Sequence, residues 1–272
     1  MPTNIYKPGL SKNNVFVEEY VPYTFNCDSH LFANLDWCFE IVQEIAGYHS
    51  SLLKCSIYDL NDLGLTWVIS RENVEILKYP KWREPVVVST WAELPFRRIL
   101  VPRIIEARDK EGNLLFKSTT LWAILDLKTK RPIEPTHILE KIGVPTEAYE
   151  RKFHINKRDI FNDDLQTLSK TTPIINYSDT DYNKHVNNIS YIRWVLRSMP
   201  NAFRDKYIVK NIDVSWLKET FLKDKVQMIT NSNDPLALEG ENPIFNHKLV
   251  REEEDGSKTV VFEAKSHWQK RS

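Results

Sequence analysis

With 272 residues and 37 basic side chains against 37 acidic ones, the chain has no formal net charge, which excludes the strongly cationic footprint of a dedicated nucleic-acid binder. Its 42% hydrophobic and 27% charged composition is that of a globular protein able to bury one large core or two ordinary ones. No apolar run approaches the ~18 residues needed to cross a bilayer, and Met1-Pro2-Thr3-Asn4-Ile5-Tyr6-Lys7 has neither the charged start nor the hydrophobic stretch of a secretory leader, so a cytoplasmic location is expected.

The first recognisable element is a helix. Leu35, Cys38, Phe39, Val42, Ile45 and Ala46 recur at helical spacing, and Gly47 is expected to end the run. Residues 67 to 90 then read as strand, turn and strand, rich in β-branched and aromatic side chains. Asp109-Lys110-Glu111-Gly112-Asn113 is a hairpin signal leading into a strand that reaches Trp122. From Pro135 to Pro173 the chain reads as a polar connector with one short helix, including Glu140, Lys141, Glu147 and a basic run, Arg151-Lys152-Phe153-His154-Ile155-Asn156-Lys157-Arg158, expected on a solvated surface.

A second helix follows. Ile189, Ile192, Val195, Leu196 and Met199 form its apolar face, Ser190, Arg193 and Arg197 the other, and Pro200 stops it. Residues 207 to 230 read again as strand, turn and strand, and Glu254-Asp255-Gly256-Ser257 marks a hairpin toward Trp268.

The order of elements is thus given twice, and so is part of the sequence. Residues 67–90 align without a gap on 207–230, sharing Val74/Val214, Leu77/Leu217, Lys78/Lys218, Val86/Val226 and Thr90/Thr230. One antiparallel sheet needs its apolar face covered, and each repeat offers a single long helix to do it. The expected fold is α+β: two tandem hotdog units, each an antiparallel sheet wrapped around a central long helix. The units are placed at 13–136 and 173–272, joined by a connector at 137–172. At the helices His185 faces Phe32, an offset of 153, whereas at the strands it is 140, so the first copy carries 13 extra residues around Tyr48 to Asn61. That insertion is a candidate pocket wall or lid.

Spacing removes several chemistries. Seven glycines, never close together, exclude a P-loop, a dinucleotide-binding fingerprint and a nucleophile elbow. Cys27, Cys38 and Cys55 form no C-x-x-C pair, so neither a disulfide framework nor a thiolate zinc site is expected. Asp179-x-Asp181-x-Asn183 opens like a calcium loop but has Lys184 at the sixth position and Ser190 at the twelfth.

Asp181-Tyr182-Asn183-Lys184-His185-Val186-Asn187-Asn188 is the stretch richest in chemistry. Side chains at alternate positions of an extended approach share one side, so Asp181, Asn183 and His185 can converge on one small volume. Beyond them lie the amides of a helix start, with Asn187 and Asn188 as candidate caps and Val186 to Asn188 as candidate oxyanion donors. A helix start needs one or two caps, and three polar groups at two-residue spacing exceed that need. In the first copy Phe32 stands where His185 stands, so the trio is expected in the second unit alone.

The stretch from Asp179 to Trp194 resembles the signature of the acyl-acyl carrier protein (acyl-ACP) thioesterases, which release free fatty acids from the carrier of fatty acid synthesis. Trp67-Val68-Ile69-Ser70-Arg71, Tyr79-Pro80-Lys81-Trp82 and the Trp122 to Arg131 segment are similar to family positions in order and spacing. The resemblance implies two hotdog units in one chain, reacting groups from the second, and catalytic roles for Asp181, Asn183, His185 and a carboxylate on a later strand. Counting 34 residues from His185 reaches Glu219, which faces Tyr79 in the repeat. Plant members carry a Cys after this Glu; here it is Thr220, which favours water as the nucleophile. No metal or cofactor is implied.

Leu35, Phe39 and Trp67 of the first unit are candidates for the acyl-chain slot, although each also suits an ordinary core. Arg193, Arg197, Arg204, Lys206 and Lys210 offer a basic surface to an acidic carrier protein. Acyl-coenzyme A hydrolysis and non-catalytic acyl binding remain open as alternatives, as do a monomer and a homodimer.

Overall fold

A computed structural model describes residues 9–10, 14–95, 97–144 and 161–271. The chain divides into two compact units, Met1–Asn156 and Lys157–Ser272.

In the first unit the strands are β1 (Gly9–Leu10), β2 (Phe16–Tyr20), β3 (Leu65–Ile76), β4 (Val86–Ala92), β5 (Leu100–Arg108), β6 (Leu114–Asp126) and β7 (Pro132–Ile133). Its helices are α1 (Leu35–Leu52), α2 (Ile57–Asn61) and α3 (Thr136–Ile142). The sheet runs β1-β2-β4-β5-β6-β3, with β7 beside β6 and antiparallel pairing throughout. α1 lies against β2 and β4. It runs past Gly47, because His49 and Ser50 are buried like the apolar residues before them and Ser50 Oγ donates back to the Ala46 carbonyl at 2.9 Å. Docking of the last turn outweighs the propensity cost of one glycine, about 1 kcal/mol.

The extra residues of the first copy are packed. Ser56 caps α2 together with Asp59, while Cys55 and Leu60 enter a core cluster with Ala92, Val101 and Ile124. α3, within the segment read as connector, adds Ile138, Leu139 and Ile142 to the same cluster. An apolar face of one short helix is enough to attach it, which the surrounding polar residues conceal. The basic run 151–158 and Glu147 lie outside the described residues.

The second unit contains β8 (Thr167–Thr171), α4 (Asn188–Ser198), α5 (Asn201–Lys206), β9 (Tyr207–Trp216), β10 (Val226–Asn231), β11 (Ile244–Glu252) and β12 (Lys258–Lys270). Its sheet runs β9-β12-β11-β10-β8, again antiparallel. β8 also comes from the segment read as connector and pairs Met228 with Thr171. α4 packs on β8 and β10 with Ile192 and Val195 fully buried. Burying such a side chain contributes ~1.5–3 kcal/mol. Gly112 and Gly256 take φ of 86° and 80° in the two hairpin turns, a left-handed conformation that glycine adopts without strain.

Each core also holds polar groups. In the first unit Arg103 Nη1 lies 2.9 Å from His49 Nδ1 and donates to Thr90 Oγ1 at 3.3 Å, and Ser118 Oγ donates to Glu72 at 2.9 Å. Burial pushes the Glu72 carboxyl up to about 8, and burial together with Arg103 pushes the His49 imidazole down to about 3. In the second, His247 sits between Thr230 Oγ1 at 2.9 Å and Ser266 Oγ at 2.8 Å, and burial lowers it to about 3.

Candidate functional site

The site is assembled from two loops of the second unit. One runs from the end of a short 3-10 turn, Tyr177–Asp179, to the start of α4; the other joins β9 to β10. They are stitched together where the Val186 amide donates to the Thr220 carbonyl at 2.7 Å, and His185 and Phe221 form an antiparallel bridge. This pairing sets residue 185 beside residue 219. His185 Nε2 lies 3.7 Å from Glu219 Oε2, with side chains 23% and 38% exposed. The distance exceeds a direct hydrogen bond, yet one water or substrate oxygen can contact both groups. The Phe221 ring meets the imidazole edge-on at 5.1 Å.

The approach to α4 is a turn and not an extended strand. The Lys184 amide donates to the Asp181 carbonyl at 2.9 Å, the Asp181 amide donates to the His185 carbonyl at 2.8 Å, and Lys184 takes a φ of 62°. Asp181, Asn183 and His185 are half-buried while Tyr182 and Lys184 face solvent, so the alternation expected from the sequence survives in the burial pattern. The Asp181 carboxylate, however, is engaged in the turn. Its Oδ1 accepts from the amides of Asn183 at 2.9 Å and His185 at 3.1 Å. Among the described residues the Asn183 carboxamide has no hydrogen-bond partner.

The helix-start amides fare differently from expectation. Val186 donates to Thr220 and Asn187 to the Asp179 carbonyl at 2.7 Å, so neither is available to an oxyanion. Asn187 is instead the cap of α4, its Oδ1 accepting from the Ile189 amide at 2.9 Å. Asn188 is the first residue of the helix.

The first unit repeats this construction nearly bond for bond. Asp28 Oδ1 accepts from His30 and Phe32 amides at 2.9 and 3.1 Å, Leu31 takes a φ of 62°, and the Ala33 amide donates to the Pro80 carbonyl at 2.8 Å. One member of the expected trio does have a counterpart there, since Asp28 matches Asp181. What changes is His30 for Asn183, Phe32 for His185 and Tyr79 for Glu219.

The remaining sequence candidates are spread out. Leu35 and Phe39 lie on α1 in the first unit's core, 4% and 1% exposed. Trp67 donates through Nε1 to the Cys55 carbonyl at 2.9 Å and meets Trp122 edge-on. Arg197 and Lys206 are exposed near the C-terminal ends of α4 and α5, where positive charge also complements the helix dipole; Arg193, Arg204 and Lys210 are half-buried.

Residues that the sequence reading passed over also shape the site. Asp179 accepts from Ser190 Oγ at 2.9 Å and from the Asn176 amide at 2.8 Å, tying the 3-10 turn to α4. Asp224 Oδ2 accepts from the Phe221 amide at 2.9 Å, closing the Glu219 loop. Arg251, on β11, donates to the Glu219 carbonyl at 2.7 Å. The first two have a local signature in their capping spacing; Arg251 has none, being far along the chain.

The comparisons with known proteins cover both units. Residues 13–142 match the acyl-ACP thioesterase N-terminal domain and residues 163–270 the acyl-ACP thioesterase C-terminal domain. A chloroplastic acyl-[acyl-carrier-protein] hydrolase of Cuphea viscosissima is 27% identical over 192 residues, covering 68% of this chain and 45% of that protein. Oleoyl-acyl carrier protein thioesterase 2 of Arabidopsis thaliana, also chloroplastic, is 25% identical over 236 residues, 81% of this chain and 64% of that one. The chain thus spans between about half and two thirds of these curated relatives. The crystal structure of an acyl-ACP thioesterase from Bacteroides thetaiotaomicron superposes with a TM-score of 0.79 at 23% identity, covering 95% of this chain and 99% of that one, which shows the shared hotdog fold. With its two halves matched in order by the two domains of one family, the chain belongs to the acyl-ACP thioesterases.

Proposed function

We propose that the chain hydrolyses the thioester of a fatty acyl chain on acyl carrier protein, releasing the free fatty acid and ending elongation. The observation that carries this reading is the His185–Glu219 pair, held 3.7 Å apart by two stitched loops in a chain of this family. Glu219 takes a proton from water as the water oxygen bonds to the thioester carbon. The tetrahedral intermediate then expels the carrier thiolate, the C–S bond breaks, and the thiolate collects the proton through His185. General-base assistance of this kind is worth ~10²- to 10⁴-fold. The Asn183 carboxamide supplies a donor for the developing oxyanion, a contribution of ~2.7–4 kcal/mol for one well-placed group. Asp181 holds the loop and takes no part in proton transfer.

Leu35, Phe39 and Trp67 are proposed to contact the acyl chain, and the basic surface around Arg197 and Lys206 to meet the carrier protein. A cytoplasmic location and a monomer or homodimer complete the proposal; among the described residues no helix is long and apolar enough to cross a membrane. Thiol release is to be measured from acyl-ACP and acyl-coenzyme A of equal chain length. The expected result is faster turnover of the carrier thioester, abolished in Glu219→Gln. Fatty acid bound without turnover, or undiminished hydrolysis in that variant, would overturn the reading.

A further inference from the structure

We propose that Arg251 is a positioning residue that clamps the Glu219 loop and so sets the Glu219–His185 geometry, an inference that rests on the hydrolytic reading above. Its guanidinium reaches three partners. Nη1 donates to the Glu219 carbonyl at 2.7 Å and lies 3.5 Å from Asp224 Oδ2, while Nε and Nη2 hold Glu253 Oε1 at 3.1 and 2.9 Å. The side chain is 16% exposed, and its backbone is fixed in the sheet by pairing with Val226. Asp224 in turn accepts the Phe221 amide, and the Phe221 ring lies against the His185 imidazole. One planar fork therefore touches the backbone of one reacting residue directly and reaches the ring beside the other through two further contacts.

The first unit separates this role from simple turn formation. Its loop from Tyr79 to Glu84 closes in the same way, with Glu84 Oε2 accepting from the Lys81 amide at 2.7 Å. The position matching Arg251 is Asp109, one residue beyond the Val87–Arg108 pair, and its carboxylate is turned to its own hairpin, accepting from Asn113. There the cation beside the loop-closing carboxylate is Lys78, whose Nζ lies 3.5 Å from Glu84 Oε1. An ion pair on the loop-closing carboxylate is thus common to both units, whereas the strand guanidinium on the Glu219 carbonyl, from a position that is Asp109 in the first unit, goes with the unit that carries Glu219 and His185.

Misplacing a reacting group by about 1 Å can cost ~10²-fold in rate. Arg251→Met is therefore expected to lower kcat ~10- to 100-fold at nearly unchanged KM, with urea midpoint and circular dichroism used to correct for the folded fraction. Arg251→Lys retains the charge without the fork, and an intermediate kcat is expected. If kcat per folded molecule stays within twofold of wild type in Arg251→Met, or if Lys is no better than Met, the clamp is wrong. Glu219→Gln in the same assay distinguishes the two levels. Active Arg251→Met beside inactive Glu219→Gln defeats the clamp alone, while active Glu219→Gln defeats the hydrolytic reading and the clamp with it.

Discussion

The loops that precede α1 and α4, together with the strand-linking loops they bridge, share one backbone design and differ in three side chains that matter chemically. In both, an aspartate turns back to accept two amides, a residue takes left-handed φ, and the chain bridges the loop that follows the next long strand, β3 to β4 in the first unit and β9 to β10 in the second. The first presents Phe32 and Tyr79, the second His185 and Glu219. The comparison separates scaffold from chemistry inside one molecule. What both units keep is needed to shape the loop, and what only the second has is available for reaction.

The largest effect expected from this division comes from giving the second loop the first loop's residue. His185→Phe should retain folding and lower thiol release ~10²- to 10⁴-fold, measured on acyl-ACP beside circular dichroism. Retained activity would return the chemistry to the shared scaffold.

A smaller effect should follow from the shared aspartates. Asp28→Ala and Asp181→Ala each remove two charge-assisted hydrogen bonds, worth ~1.5–3 kcal/mol apiece, and both variants should melt earlier than wild type. Only Asp181→Ala should also lose activity, ~10- to 100-fold, because only that loop holds a reacting group. Asp181→Asn keeps an oxygen acceptor for the amides and should recover most of the rate. Equal inactivity in Asn and Ala variants would make the charge of Asp181 part of the reaction.

Much of this was legible from the residues. The apolar spacing of α4, its Asn187 cap and the hairpins at Gly112 and Gly256 are local patterns, and they appear where local physics puts them. The failures have tertiary causes. Gly47 signals a stop, but burial of His49 carries α1 onward. Lys184 in left-handed φ is unfavourable in isolation and is held by the Asp181 turn. The Val186 and Asn187 amides look free in any helix-start argument until a neighbouring loop and the Asp179 carbonyl accept them. Arg251 could not be read at all, since its contact to Glu219 is created by sheet register.

The buried polar groups give the smallest and most gradual difference between the units. His49 and His247 are held near 3 when folded and titrate at the ordinary 6.5 when unfolded, so the unfolded chain binds more protons between those values. Their stabilisation is full above pH 6.5 and is lost as pH falls toward 3. Glu72 has the opposite sign: held up to about 8 against an ordinary 4.5, it keeps its proton when folded, and its contribution is lost as pH rises from 4.5 through 8. Among the described residues such a carboxyl is found in the first unit alone. Thermal melts should therefore decline from pH 6.5 to 4 in wild type, and Glu72→Gln should flatten the decline from pH 6.5 to 8. An unchanged alkaline slope in that variant would contradict the assignment.

The most direct test of the reacting pair is a double-mutant cycle in which kcat on acyl-ACP is measured for His185→Ala, Glu219→Gln and the combination. Two groups that act as one unit predict a double variant no slower than the slower single variant. Losses that multiply would mean that His185 and Glu219 work independently, and the paired mechanism would be wrong.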